Sequence, residues 1–237
     1  MNTILHLSTD RGHADHGWLK ANHSFSFAGY YDPNRVHFGV LRVLNDDTVA
    51  AGMGFGMHPH DNMEIITIPF TGTLAHKDSM GNTGTIGFGE IQVMSAGSGI
   101  THSEFNHSQT EPVTLFQIWL FPNKKNVTPR YDQISYDKEK MHNEWLQIIS
   151  PNPDDEGSWI HQDAWFYLGK FDEGFSTNYT IKNEQNGVYL MVIEGEIEVE
   201  GQVLQQRDAL GITDTSSFTI KAKKPSFILV MDIPMQA

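Results

Sequence analysis

Two alternating pairs carry the most chemical potential in this sequence, His58-Pro59-His60 and His102-Ser103-Glu104. In an extended strand, side chains two positions apart leave the same face with their Cα atoms about 6.5–7 Å apart, so both can reach one ion. Three neutral imidazoles and one carboxylate leave part of a six-coordinate shell free. That donor set suits Fe(II), Mn(II), Ni(II) or Co(II) with an exchangeable water or substrate, and therefore suits catalysis. A closed structural zinc is the competing use of such donors, but a chain of 237 residues builds a hydrophobic core and needs no metal in order to fold. A single H-x-H pair in a β protein is often coincidental. Two pairs separated by a hairpin point to one shared site.

The other histidines receive plainer readings. The chain has 12 histidines and none after His161, which assigns any imidazole site to the first half. His13, His16 and His23 are expected to bond backbone groups or to line the interface between halves. His76 lies on a presumed hairpin strand without ligand partners, and His107 has the wrong parity for the His102 face. Regular alternation places Gly52, Gly54 and Gly56 beside His58 and His60, with Met53, Phe55 and Met57 opposite. Glycine runs and Pro59 are also where bulges break alternation. Of Phe55, Met57, Met63, Phe88 and Met94, most are expected in the core.

The elements that must position these groups are short strands. From Val36 to Phe121 the segments HFGVLRVL, MEIITIPF, TGTLAHKDS, GEIQVMSA and VTLFQIWLF are separated by turn residues such as Thr71-Gly72 and Asp78-Ser79-Met80-Gly81-Asn82, the rhythm of a sandwich or barrel. Pro122 to Pro129 is polar and Pro-flanked and reads as the connection to a second β-rich block. In that block Glu194, Glu196, Glu198 and Glu200 alternate with Ile197 and Val199, as in a strand with one wet face; a docking patch for a basic partner is the alternative. Short helices are expected over 138–146 and 14–20.

Composition closes off several function classes. With 16 Lys+Arg against 29 Asp+Glu the formal net charge is −13, a field that repels phosphate backbones and argues against direct nucleic-acid binding. There is no cysteine, which removes disulfides, thiolate metal sites and zinc ribbons. The start of the chain lacks a basic then apolar leader, and no apolar run approaches the roughly 20 residues needed to span a bilayer. A cytoplasmic protein with no membrane association is the expectation.

Through Gly52-x5-His58-x-His60-x3-Glu64 and Gly99-x2-His102-x3-Asn106 the chain resembles the cupin superfamily. It resembles the pirins, and the bacterial pirin-like quercetinases in particular, through Arg11-Gly12-His13-Ala14, His16-Gly17-Trp18-Leu19, Phe25-Ser26-Phe27-Ala28, Tyr30-Tyr31-Asp32-Pro33, Gly54-Phe55-Gly56, Asp78-Ser79-Met80-Gly81-Asn82 and the run from Met94 to Glu104. The likeness is strong over residues 11–130 and weaker beyond. It implies an all-β bicupin, two stacked β-barrels of double-stranded β-helix, jelly-roll-like form in one chain. Residues 1–130 would form the metal-binding barrel and 131–237 a cupin-like barrel without a metal.

The resemblance implies His58, His60, His102 and Glu104 as ligands of one divalent transition metal, Fe(II) foremost, with Ni, Mn, Co, Cu or Zn as alternatives. Glu104 would also serve as the catalytic base. Glu64, where most cupins have a carboxylate ligand, is expected to play a supporting hydrogen-bonding or structural role, and Asn106 a structural one. The implied activity is a quercetin 2,3-dioxygenase type opening of a flavonol ring, using dioxygen and releasing carbon monoxide. The alternative is an iron-dependent regulator that binds a transcriptional or metabolic protein partner and switches with metal redox state; a cupin isomerase is the third class. A monomer is expected, because two barrels in one chain bury what single cupins bury by dimerising.

Overall fold

Along the central strands of the first half, apolar residues of one parity pack outward against the second half and residues of the other parity face inward. The computed structural model, which describes residues 1–236, resolves this into four sheets. The first half holds a seven-stranded sheet in the order Arg130–Ser135, Glu90–Ser95, Glu64–Thr71, Val113–Leu120, Leu41–Val49, Leu19–His23, Gly12–Asp15. Its four-stranded companion runs Gly54–His60, Ile100–Asn106, Thr73–Asp78, Thr83–Gly87. The second half repeats the plan, with a seven-stranded sheet (Asn2–His6, Ala209–Thr213, Asn186–Glu194, Ser226–Pro234, Trp165–Phe171, Leu146–Ser150, Ser158–Trp159) and a four-stranded one (Ser176–Thr180, Ser217–Ala222, Glu196–Val199, Gln202–Gln205). The architecture is an all-β bicupin, and its barrels are open, jelly-roll-like sheet pairs rather than closed cylinders.

The two large sheets stack on each other. Ile66, Ile68, Val93, Phe116 and Ile118 from the first meet Ile148, Phe166, Met191, Leu229 and Met231 from the second in one buried cluster. The interiors of the two halves then differ sharply. Between the sheets of the second half, aliphatic side chains such as Val188, Leu190, Val192, Ile197 and Ile220 fill the space. The corresponding interior of the first half has only small apolar clusters and buries Asn45, Asp47, Thr67, His76, Gln92, His102 and Glu104. Filled cores stabilise; polar, incompletely filled ones hold sites.

Strand pairing crosses the expected 130/131 boundary at both ends. Asn2–His6 pairs with Ala209–Thr213 in the second half's sheet, and Arg130–Ser135 pairs with Glu90–Ser95 in the first half's sheet. Both helix expectations fail for the same reason, weak periodicity that tertiary pairing overrides. Residues 138–146 yield only a 3-10 turn, Lys138–Met141, and residues 14–20 fall in the hairpin of Gly12–Asp15 with Leu19–His23. The acidic run is broken at Gly195, φ +89°, into the strands Asn186–Glu194 and Glu196–Val199. Glu196 and Glu198 pair with Lys224 and Lys223, as a solvated face does.

Candidate metal centre

His58 and His60 sit on Gly54–His60, an edge strand antiparallel to Ile100–Asn106. His58 lies opposite His102, but Phe55, not Gly56, lies opposite Glu104, because the register slips between them. This bulge overturns the regular alternation expected for the segment. Phe55 turns into the same cavity as His58 and Glu104, and Met57 is thrown outward to 57% exposure. Gly54 is required by close approach: a Cβ there would lie 2.2 Å from the Glu104 carbonyl oxygen. At the start of the partner strand, Gly97 takes φ +49° with the Val127 carbonyl 2.1 Å from a would-be Cβ, a turn only glycine makes freely.

The three expected histidines converge. His60 Nε2 lies 3.0 Å from His102 Nε2, close enough for both nitrogens to reach one ion. The His58 ring centroid is 4.4 Å from that of His102 and 4.8 Å from that of His60. His58 Nδ1 lies 2.8 Å from the Gly56 carbonyl, so Nδ1 carries the proton and Nε2 keeps its lone pair. Burial, followed by the neighbouring imidazoles, pushes His60 down to about 4 and His102 down to about 3. Both rings are therefore neutral at physiological pH, as ligands must be.

Glu104 joins this group through His102. Donor atoms of His58, His60 and His102 lie within 4.8 Å of one another, and so do those of His76, His102 and Glu104. The Glu104 carboxylate accepts from Gln117 Nε2 at 3.0 Å and Thr67 Oγ1 at 3.4 Å. Burial nonetheless pushes it up to about 7 against both hydrogen bonds. A fully enclosed carboxylate next to neutral imidazoles is short of positive charge, the deficit that a bound cation removes. The donor set thus fits a divalent ion.

Glu64 belongs to neither group. It is fully buried on Glu64–Thr71 and accepts from Ser95 Oγ at 2.7 Å, in keeping with a supporting role. Asn106 is structural, donating to the carbonyls of Val49 and Glu111. The N-terminal histidines depart from expectation. His13, His16 and His23 do not line the interface between halves but a cavity of about 620 Å³ at the mouth of the site. His23 also reaches the inner cavity of about 260 Å³ beside His58 and Glu104. The two spaces share Leu19, Ala21, Phe27 and Phe55, an apolar passage to the histidines. Met63 and Met94 pack in the core beside Ile65 and Ile100.

His76, expected to lie without ligand partners, has them: its donor atoms group with those of His102 and Glu104. It accepts from Gln92 Nε2 at Nδ1, 2.9 Å, and donates from Nε2 to Asp78, 3.3 Å, with its ring stacked on Tyr131. Its signal was the acidic residue two positions on, the spacing already noticed in His102-Ser103-Glu104. Also missed was a polar row crossing the large sheet in register, Gln92, Thr67, Gln117, Asn45 and His23. Gln92 holds His76, and Thr67 and Gln117 hold Glu104, from behind, while Asn45 accepts from His23 Nδ1 at 2.8 Å. Each stands on a different strand, so only the cross-strand register brings the row together.

Comparison with known proteins places the chain. A family model described as Pirin matches residues 5–120, and one described as Quercetinase C-terminal cupin domain matches residues 132–233. Quercetin 2,3-dioxygenase of Escherichia coli (strain K12) is 42% identical over 230 residues, 97% of this chain and 98% of that protein. The chain belongs to the pirin family. This pirin is also 40% identical over 222 residues to a pirin-like protein of Caulobacter vibrioides, spanning 93% of this chain and 95% of that one. Among solved structures it is similar to the bacterial pirin YhhW of Escherichia coli in complex with nickel(II), with a TM-score of 0.93 and 40% identity over 98% of this pirin and 99% of that chain.

Proposed function

We propose that this pirin is a metal-dependent dioxygenase that opens the ring of a flavonol such as quercetin and releases carbon monoxide, with His58, His60, His102 and Glu104 holding Fe(II). The observation that carries the reading is the 3.0 Å approach of His60 Nε2 and His102 Nε2 beside an apolar cavity shaped by Phe27, Phe55 and Trp119. When bound, the cation supplies a Lewis acid that favours the deprotonated 3-hydroxyl and orients it. Glu104, whose carboxylate faces the cavity beside His58, receives the 3-hydroxyl proton. Gln117 and Thr67 fix the carboxylate for that transfer, and His76 and Asp78 back the His102 side. The apolar walls exclude water while the ring reacts.

The test uses purified, metal-analysed protein with quercetin. Dioxygen is consumed and carbon monoxide released in equal amounts, and both His102→Ala and Glu104→Ala lose metal and turnover together. Iron-loaded wild type that turns over no flavonol overturns the reading. A second reading, an iron-dependent regulator, draws on the ligand strand's place at a sheet edge, with Met53 and Met57 exposed by 42% and 57%. It predicts a protein partner whose affinity follows iron oxidation state, with no consumption of dioxygen.

A further inference from the structure

Asp46 and Asp47 are adjacent and meet opposite fates. On Leu41–Val49, Asp46 points away from the site, where Arg11 and Arg207 both reach its Oδ2 at 3.4 and 3.3 Å. Asp47 points inward, is only 5% exposed, and lines the inner cavity with His58, Glu104 and Trp119. Its cross-strand neighbours are Ala21 and Leu115, neither of which can bond a carboxyl. Its Oδ1 is buried with no hydrogen-bond partner among the described residues. A buried polar group left unpaired destabilises the fold.

Resting on the flavonol reading above, we propose that Asp47 is a substrate-positioning residue, whose carboxyl hydrogen-bonds a phenolic hydroxyl of the flavonol other than the 3-hydroxyl held beside the histidines. Burial, then the negative charges of Asp46 and Glu104, push Asp47 up to about 8, so the group enters the cavity as a neutral acid with both an O–H and a carbonyl to offer. A neutral acid recognises a phenol without repelling the electron-rich ring. Sites built to bond a hydroxyl discriminate strongly against analogues that lack it. Asp47 thus selects polyhydroxylated flavonols over bare ones.

The experiment measures anaerobic binding of quercetin and of 3-hydroxyflavone, which lacks the other hydroxyls, to Fe(II)-loaded wild type, Asp47→Asn and Asp47→Leu. Asp47→Leu weakens quercetin about tenfold and leaves 3-hydroxyflavone within about twofold, while Asp47→Asn restores quercetin to within about threefold of wild type. Asp47→Leu also keeps or raises Tm, since it removes an unpaired buried group. The proposal is overturned if Asp47→Leu weakens both flavonols alike, leaves quercetin unchanged, or lowers Tm. Because binding is read without dioxygen, discrimination can hold while carbon monoxide release fails, or the reverse, which separates this proposal from the dioxygenase reading.

Discussion

At the scale of single residues, Asp78 does more than its loop position suggests. Its Oδ1 accepts the backbone N–H groups of Met80 and Asn82, and its Oδ2 accepts Asn82 Nδ2 and His76 Nε2. Asp78→Ala leaves a buried imidazole and two turn amides unpaired, so it lowers Tm by roughly 5 °C or more in thermal melts. It also weakens metal binding in competitive chelator titration, by less than the roughly 10-fold that a direct partner of a ligand carries, since Asp78 acts through His76 packed on His102. The convergence of His58, His60 and His102, with Glu104 beside His102, was legible because two alternations with ligand chemistry recur in one half. His76 and the polar row were not. Gln92, Thr67, Gln117, Asn45 and His23 stand on five separate strands, and only cross-strand register shows that they line up.

At the scale of elements, the decisive feature is the bulge in Gly54–His60. The strand rhythm itself was readable, since β-branched and aromatic runs punctuated by glycine leave few alternatives to a β-sandwich. Which side Phe55 faces was not readable: the glycine run and Pro59 mark where a bulge can fall, but not the residue at which it inverts parity. Two glycines of the segment test this geometry against each other. Gly54→Ala drives a methyl group into the Glu104 carbonyl, separates the ligand strands, and costs about 1–3 kcal/mol in urea unfolding together with metal content. Gly56→Ala meets nothing within 4 Å and retains wild-type stability within about 0.5 kcal/mol. Equal effects at both positions would contradict the bulged register.

At the scale of the whole molecule, the halves are joined by more than a linker. His6, on the strand that pairs with Ala209–Thr213, bonds Tyr189 Oη through Nδ1 at 2.8 Å, and Tyr189 packs on Phe25 and Phe38 of the first half. Burial, then the charge of Arg35, pushes His6 down to about 4. A histidine lowered by folding contributes stability that is complete above its unfolded value near 6.5 and is lost as pH falls from there through about 4. His6→Gln therefore unfolds with less pH dependence than wild type between pH 7 and pH 4.5, a difference that urea titrations at the two pH values resolve. Deleting residues 1–7 strips one edge of the second sheet and lowers Tm. The repeated architecture was visible in the sequence, but this reciprocal clasp was not, because strand exchange depends on which edges lie free after stacking. The clasp also sets an order of events on the ribosome. Asn2–His6 is made well before its partner Ala209–Thr213, so synthesis carries an open, adhesive segment through everything between them before the molecule can shut.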